Sequence, residues 1–353
     1  METPLGGAEF APAQTYLNTS TSGLLPRRTV DAVTALAEQN AAGRADGPGS
    51  FDVVDVARQR YARLVGVAAD RVALGGSVAV HVALIATALP PGAEVLLVEG
   101  DFSSLIMPFT VRGDLKTRFV PLEELAGAVR PGTALVAFSA VQSADGRVAD
   151  AAAVREAAAA HGARTLLDAS QSAGWLPLEA GVYDYTVAGG YKFLLCPRGA
   201  SFLTVSEEAQ ESLVPAHASW VAGEDPWTST YGPVDRLAPT ARRYDEPPSF
   251  LAYYGAERSL SVLEETGIEA IHAHATALAA RFRAGLADLG HEPVPAGSGG
   301  SAVVAVPGLG GRQPELVRAG VLVSARAGNL RVSFHLYNSA ADVDRALDVL
   351  SSS

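Results

Sequence analysis

The chain has a single cysteine, Cys196, among its 353 residues, which excludes an intrachain disulfide and a cysteine-rich metal site and makes a reducing cytoplasm the expected setting. Runs of Lys and Arg are missing too, and a formal net charge of −11 would repel a phosphate backbone, so nucleic acid is not an expected partner. The opening METPLGGAEFAPAQTYLNTS lacks the basic region and apolar core of a signal peptide. The longest apolar stretch, VHVALIATAL, ends at Leu89 before Pro90-Pro91-Gly92 and is too short to span a bilayer, so no membrane partner is expected. Neither GxGxxG nor GxxxxGK[ST] occurs, which removes the main support for a nicotinamide-dinucleotide or P-loop reading. What remains, with 48% hydrophobic and 18% charged residues, is the composition of a compact soluble enzyme with a large core.

From about residue 52 the pattern alternates between two periods. VDVARQRYARLVG reads as an amphipathic helix and SVAVHVALIATAL as a buried one. AEVLLVEG, TALVAFSAVQS, ARTLLDAS and YDYTVAGG are short apolar runs of the kind buried parallel strands make, and DAAAVREAAAAHG separates two of them as a helix stopped by Gly162. Strands alternating with helices predict βαβ units: an α/β fold with a mostly parallel central sheet flanked by helices. Past residue 205 a stretch rich in Pro, Gly and aromatics reads as a long ordered loop, followed by a helical region broken near Gly267. SAVVAVP, GVLVSAR, LRVSFHLY and a final helix then suggest a smaller α+β unit. The expected division is an N-terminal segment 1–23 near the active site, a large domain 24–248 and a small C-terminal domain 249–353.

The chemistry centres on AGGYKFLLCPRG, where Lys192 stands between an aromatic residue and apolar side chains. It is either a snorkelling lysine at a strand end or an amine that forms a Schiff base. The strand ARTLLDAS ends at Asp168, with Gln171 just beyond it, and YDYTVAGG delivers Lys192 to the same carboxyl edge, where open α/β sheets place ligands. Pyridoxal phosphate (PLP) asks for this set: a lysine for the internal aldimine, a carboxylate to keep the pyridine nitrogen protonated, and a donor for the ring hydroxyl. Alone, Asp168 is equally a turn or cap residue. LGGSVAV places Gly76 and Ser77 before a helix, as a phosphate cradle or an ordinary N-cap. Phe102, after the strand AEVLLVEG, offers a ring either to a pyridine face or to the core.

Taken in order, these pieces resemble the class V aminotransferase family of fold-type I PLP enzymes, which includes cysteine desulfurases, kynureninases and isopenicillin N epimerase-like proteins. YLNTSTSGLLP is similar to the family's opening segment, LDASQSAGW to its Asp-x-x-Gln strand end, YKFLLCPRGASFLTV to its lysine segment and LRVSFHLYNSAADVDRALDVL to its C-terminal strand and helix. The resemblance implies that Arg331 grips the substrate carboxylate, Phe102 stacks on the cofactor, Gln171 donates to the ring oxygen and Ser143 lies near a small amino-acid substrate. It also implies a homodimer with active sites at the interface; the loop bearing Trp227, Tyr231, Arg242 and Arg243, rich in aromatics and arginine, either reaches the site from one chain or the other or folds onto its own subunit. Gly189 stands where relatives often have a Ser or Thr on the phosphate, so the Tyr191 hydroxyl is expected to serve instead. SARAGNLRVS runs almost straight from Arg326 into the strand, where desulfurases carry a loop with a sulfur-accepting cysteine, and Cys196 reads as a packed small hydrophobe. ASWVAGEDPWTSTYGPVDRLAPTARRYDEPPSF is similar to the corresponding loop of hercynylcysteine sulfoxide lyase and related C–S lyases, which tilts the expected reaction toward β-elimination at a C–S bond through a Cα carbanion, with transamination or epimerisation as alternatives. His272 and His274, in a run of alternating alanines, are expected to face solvent and bind no metal.

Overall fold

The computed structural model describes residues 4–297 and 299–352; positions 1–3 of the expected N-terminal segment lie outside the described residues. Twelve strands occur among them: β1 (Thr15–Tyr16), β2 (Val72–Gly75), β3 (Glu94–Val98), β4 (Lys116–Val120), β5 (Thr133–Ser139), β6 (Arg164–Asp168), β7 (Tyr185–Gly189), β8 (Ser201–Val205), β9 (Val303–Val306), β10 (Val321–Leu322), β11 (Ser324–Arg326) and β12 (Asn329–Ser333). Seven form the central sheet in the order β2-β8-β7-β6-β5-β3-β4. All its pairings are parallel except those of β8, which runs antiparallel to both β2 and β7. The sheet is therefore mostly parallel, as the apolar runs predict, and the reversed β8 is the departure. Its return to the sheet needs only the short excursion from Gly189 to Ser201, too short for a crossover helix.

Parallel pairing fixes which residues meet at the carboxyl edge. Ser139 is level with Asp168, and Asp168 with Val187, so the ends of β5, β6 and β7 form one rim. Helices cover both faces. Three of them are used below: α1 (Arg27–Ala41), α2 (Phe51–Leu64) and α3 (Val78–Ala88). Helix α2 starts at Ser50, whose side chain accepts from the Asp52 amide. The helix Ala151–His161 is capped by Asp150 through the Ala153 amide and ends at Gly162, at φ 67°, the left-handed stop the sequence signals. Helix α3 is apolar on nearly all sides because sheet and neighbouring helices enclose it: Val82, Leu84 and Ile85 are buried. Helix α1 has no counterpart in the sequence reading.

The second sheet is antiparallel, in the order β11-β12-β9, and the helices Phe250–Thr266 and Ile268–Asp288 precede it, separated by Gly267 at φ 86°. The N-terminal segment is stitched to this part of the chain. Thr15 and Tyr16 pair with Val321 and Leu322, and the Ser333 amide donates to the Leu17 carbonyl at 2.9 Å. The expectation that His272 and His274 face solvent is corrected: they flank the buried stripe of Ile271, Ala275 and Leu278 and are half-buried. His272 stacks on Trp175 with ring centroids 5.7 Å apart, and His274 Nε2 lies 2.9 Å from the Asn338 carbonyl.

Candidate active site

The loops that follow β3, β5, β6 and β7 bring the chemistry-bearing residues to one edge of the sheet. Lys192 lies three residues past β7 and is 5% exposed. Its loop is closed by its own backbone: the Cys196 amide donates to Gly190 O at 2.9 Å and the Gly190 amide to Ala200 O at 2.9 Å. Leu195 completes the turn at φ 58°, a left-handed conformation that costs a bulky residue roughly 1–2 kcal/mol. The Ser259 hydroxyl holds it there by donating to Leu195 O at 2.6 Å. Burial lowers the Lys192 pKa to about 8 against the pull of Asp168, and Arg331, Arg198 and Arg326 push in the same direction as burial. An amine tuned in this way is available as a nucleophile and a base near neutral pH.

Asp168, at the end of β6, is 4% exposed, and burial raises its pKa while Lys192 and Ser170 oppose the rise. The Ser170 amide donates to Asp168 Oδ1 at 2.8 Å, and the Ser170 hydroxyl accepts from the Gly189 amide at 3.0 Å. Asp168 and Lys192 line one pocket with Gly76, Ser77, Phe102 and Tyr191. They feel each other's charge yet form no ion pair among the described residues. The Lys192 ammonium instead lies 4.8 Å from the Phe102 ring centroid. Phe102 stays 39% exposed, leaving its face open to a flat ligand. Its position is set by Asp101, which accepts from the Phe102 amide at 2.6 Å and from the Ser139 amide at 2.9 Å, bridging the ends of β3 and β5.

Beside this pocket, close enough to act on Lys192, Arg331 on β12 is 2% exposed, and burial pulls its pKa down to about 10. It donates to the Ser143 carbonyl, to Ser143 Oγ at 3.2 Å, to Ser324 Oγ at 3.1 Å and to Thr21 Oγ1 at 2.8 Å, all uncharged partners. A buried guanidinium facing only neutral acceptors is a receptor for an anion. Ser143 also accepts from Gln171 Nε2 at 3.0 Å, which links the end of β6 to the arginine, while Gln171 Oε1 is buried with no partner among the described residues.

At the start of α3 the Gly76 amide donates to Glu246 Oε2 at 2.8 Å, and the Ser77 side chain makes no capping bond. A carboxylate thus already occupies the place where the helix dipole and free amides favour an anion. Glu246 is held at this height by its neighbour Asp245, which makes a buried two-pronged pair with Arg58 at 3.0 and 2.7 Å. The hydroxyl nearest the side-chain position of Gly189 is that of Ser170, 3.5 Å from a Cβ built there, with Tyr191 Cε1 at 3.6 Å. The Tyr191 ring is itself covered by Arg198, 4.0 Å from its centroid.

The structure therefore gathers Lys192, Asp168, Phe102, Gly76, Ser77 and Tyr191 around one pocket, and Gln171, Ser143 and Arg331 beside it. Arg242 and Arg243 lie elsewhere, tied to carbonyls of their own loop: Arg242 to Val221 and Gly223, Arg243 to Ala238. Two aromatic neighbours, Trp220 and Phe51, pack against Trp227 with ring centroids 5.6 and 5.8 Å away. Asp101, Ser170, Thr21 and Glu246 are site residues that the sequence reading did not single out.

The family model described as aminotransferase class-V matches residues 15–306. The chain belongs to the class V aminotransferase family. It is a PLP-dependent enzyme of fold-type I. Among its relatives, the uncharacterised aminotransferase YcbU of Bacillus subtilis is 26% identical over 317 residues, 86% of this chain and 84% of that protein. The isopenicillin N epimerase of Streptomyces clavuligerus is 28% identical over 382 residues, 96% of this chain and 94% of the epimerase. The fold matches that of the cystine C–S lyase C-DES, solved with its reaction product cysteine persulfide: TM-score 0.86 at 22% identity, covering 96% of this chain and 98% of that one. No helix among the described residues is long and apolar enough to cross a membrane. The site fits the family's cofactor on three observations: an anion-holding helix start, a pocket floored by a buried carboxylate and walled by Phe102, and a low-pKa amine.

Proposed function

We propose that this class V aminotransferase-family enzyme cleaves the Cβ–S bond of a cysteine-derived amino acid by β-elimination. The observation that carries this reading is the state of its one thiol. Cys196 is buried in the main core, its Sγ 3.3 Å from the Leu194 carbonyl, and burial drives its pKa upward. The turn that joins β11 to β12 is only two residues long, Ala327-Gly328, and carries no second thiol. Sulfur released from a substrate then has no acceptor on the chain and leaves as a free thiol. The fold shared with a cystine C–S lyase supports the same choice.

In this reading Arg331 and Ser143 hold the substrate carboxylate. Gly76, Ser77, Tyr191 and Ser170 would hold the cofactor phosphate, the Gly76 amide once released from Glu246; Phe102 would cover the ring, Gln171 would serve its oxygen and Asp168 its nitrogen. PLP supplies an electron sink for the Cα–H bond when bound. Lys192 Nζ takes the Cα proton, and the electron pair left behind expels the thiolate from Cβ. The enamine product hydrolyses to pyruvate and ammonia. Burial raises the pKa of Asp168 against the pull of Lys192 and Ser170, so a cation set against it favours the charged form, which suits a protonated ring nitrogen.

Transamination and epimerisation share the proton step and differ only in where a proton returns; the epimerase relatives keep the second in view. A homodimer in the cytoplasm completes the proposal, with exposed Trp227 and Tyr231 on the contact surface. The test is product analysis of purified protein with a panel of S-substituted cysteines. Pyruvate and thiol formed together, over many turnovers, are the expected result. One equivalent of keto acid with the cofactor left in its amine form, or a D-amino acid without pyruvate, would overturn the lyase reading.

A further inference from the structure

The hairpin β11–β12 places two arginines on one face. Its turn has Ala327 at φ 48° and Gly328 at φ 80°, the two left-handed residues of a type I′ turn, which sets a tight register. Ser324 stands opposite Arg331, and Arg326 opposite Asn329. Directly opposed residues, and residues two apart on a strand, share a face, so Arg326 lies on the same side as Arg331. Arg331 NH2 donates to Thr21 Oγ1 at 2.8 Å and Arg326 NH2 approaches the same hydroxyl at 3.4 Å. Two guanidinium groups thus converge on one neutral oxygen, and among the described residues neither has a carboxylate partner.

The two differ in depth. Arg331 is buried and spends its N–H groups on Ser143, Ser324 and Thr21; Arg326 is exposed at the hairpin tip, and its other bond is to its own neighbour's carbonyl, Ala325 O, at 2.8 Å. Arg198, exposed over Tyr191, adds a third cation beside Lys192. One arginine suffices for one α-carboxylate. In a chain of net charge −11, a second cation next to the first and farther out implies a second negative group on the ligand.

We propose that Arg326 selects amino acids bearing a second carboxylate, carried on the far end of the sulfur substituent, with Arg331 holding the first. This deepens the reading above and rests on it for the identity of the substrate as an amino acid. The geometry alone requires only a ligand with two carboxylates, and that part is testable without turnover.

Calorimetric titration of the holoenzyme with glutarate and with butyrate compares two and one carboxylates on similar carbon chains. The wild type is expected to prefer glutarate, and Arg326→Gln to lose about tenfold of that preference, the order expected when a charge-assisted contact is removed. Arg326→Lys, which keeps a cation, recovers part of it and shows that the loss comes from charge. A wild type that binds both acids equally, or an Arg326→Gln protein whose preference ratio is unchanged, overturns the proposal. In the second case Arg326 would serve the same carboxylate as Arg331. Parallel kcat/KM ratios for S-(2-carboxyethyl)cysteine against S-propylcysteine extend the comparison to turnover. Absence of pyruvate from both with the glutarate preference intact would sink the lyase reading and leave the Arg326 assignment standing.

Discussion

Gly23→Ala probes how tightly the N-terminal segment fixes the catalytic lysine. Gly23 lies against the lysine loop with its amide donating to Tyr191 O at 2.9 Å. A Cβ at this position would stand 2.1 Å from the Lys192 carbonyl oxygen and 2.6 Å from Leu195 Cδ2. Contacts below 3.0 Å essentially do not occur, so the two segments must part by at least 0.9 Å, the difference between 3.0 and 2.1. The obstacle is backbone, and the loop cannot absorb the shift by rotating a side chain. It is also braced on the far side, where a Cβ at Gly174 would meet Phe193 O at 2.2 Å. Lys192 Nζ therefore moves by about 1 Å relative to the Arg331 side of the site. A displacement of that size costs on the order of 100-fold in kcat/KM, about 2.7 kcal/mol of barrier. The assay is kcat/KM on the best S-substituted cysteine, with urea denaturation run alongside to confirm a folded protein. Gly127→Ala is the matched control, since nothing lies within 4 Å of a Cβ there. A folded Gly23→Ala enzyme within threefold of the wild type would refute the argument that this contact sets the position of Lys192.

Two further outcomes follow from the same geometry. Because burial lowers the Lys192 pKa from the ordinary 10.5 to about 8, the neutral amine is depleted only below that value; the rate of PLP capture by apoprotein should rise with pH and level off above about 8. Asp168 raises this pKa and Arg331 lowers it, so Asp168→Asn should move the midpoint down and Arg331→Gln up; shifts in the same direction, or a wild-type midpoint near 10.5, would contradict the assignment of causes. Cys196, buried with its pKa pushed up, should resist thiol reagents in the folded protein, and Cys196→Ser should retain pyruvate release; loss of turnover on alkylation of native protein would point to a thiol in the reaction.

The difference between what could be read from the chain and what could not is one of sequence separation. Lys192, Asp168 and Phe102 were legible because each sits at or shortly past the end of a buried strand, and parallel strands deliver their ends to a common edge. Arg331 was recognisable because a cation stands within an apolar strand that carries a family motif. The residues that escaped notice act through contacts whose partners are far apart along the chain. Thr21 meets Arg331 across 310 positions, Glu246 meets Gly76 across 170, and Asp101 meets Ser139 across 38. No local period encodes such pairs: a threonine in a loop and a glutamate before two prolines look like ordinary turn chemistry. The reversed β8 escaped for a related reason, since its apolar run reads the same in either direction and only the length of its connection decides. The hairpin tip lies between these cases. Gly328 after Ala327 marks a tight turn, but that the turn sets Arg326 beside Arg331 depends on register, because a slip of one residue would send Arg326 to the opposite face. The charge pattern that argues for a second carboxylate thus emerges only where turn geometry, strand register and the returning N-terminal segment coincide at Thr21.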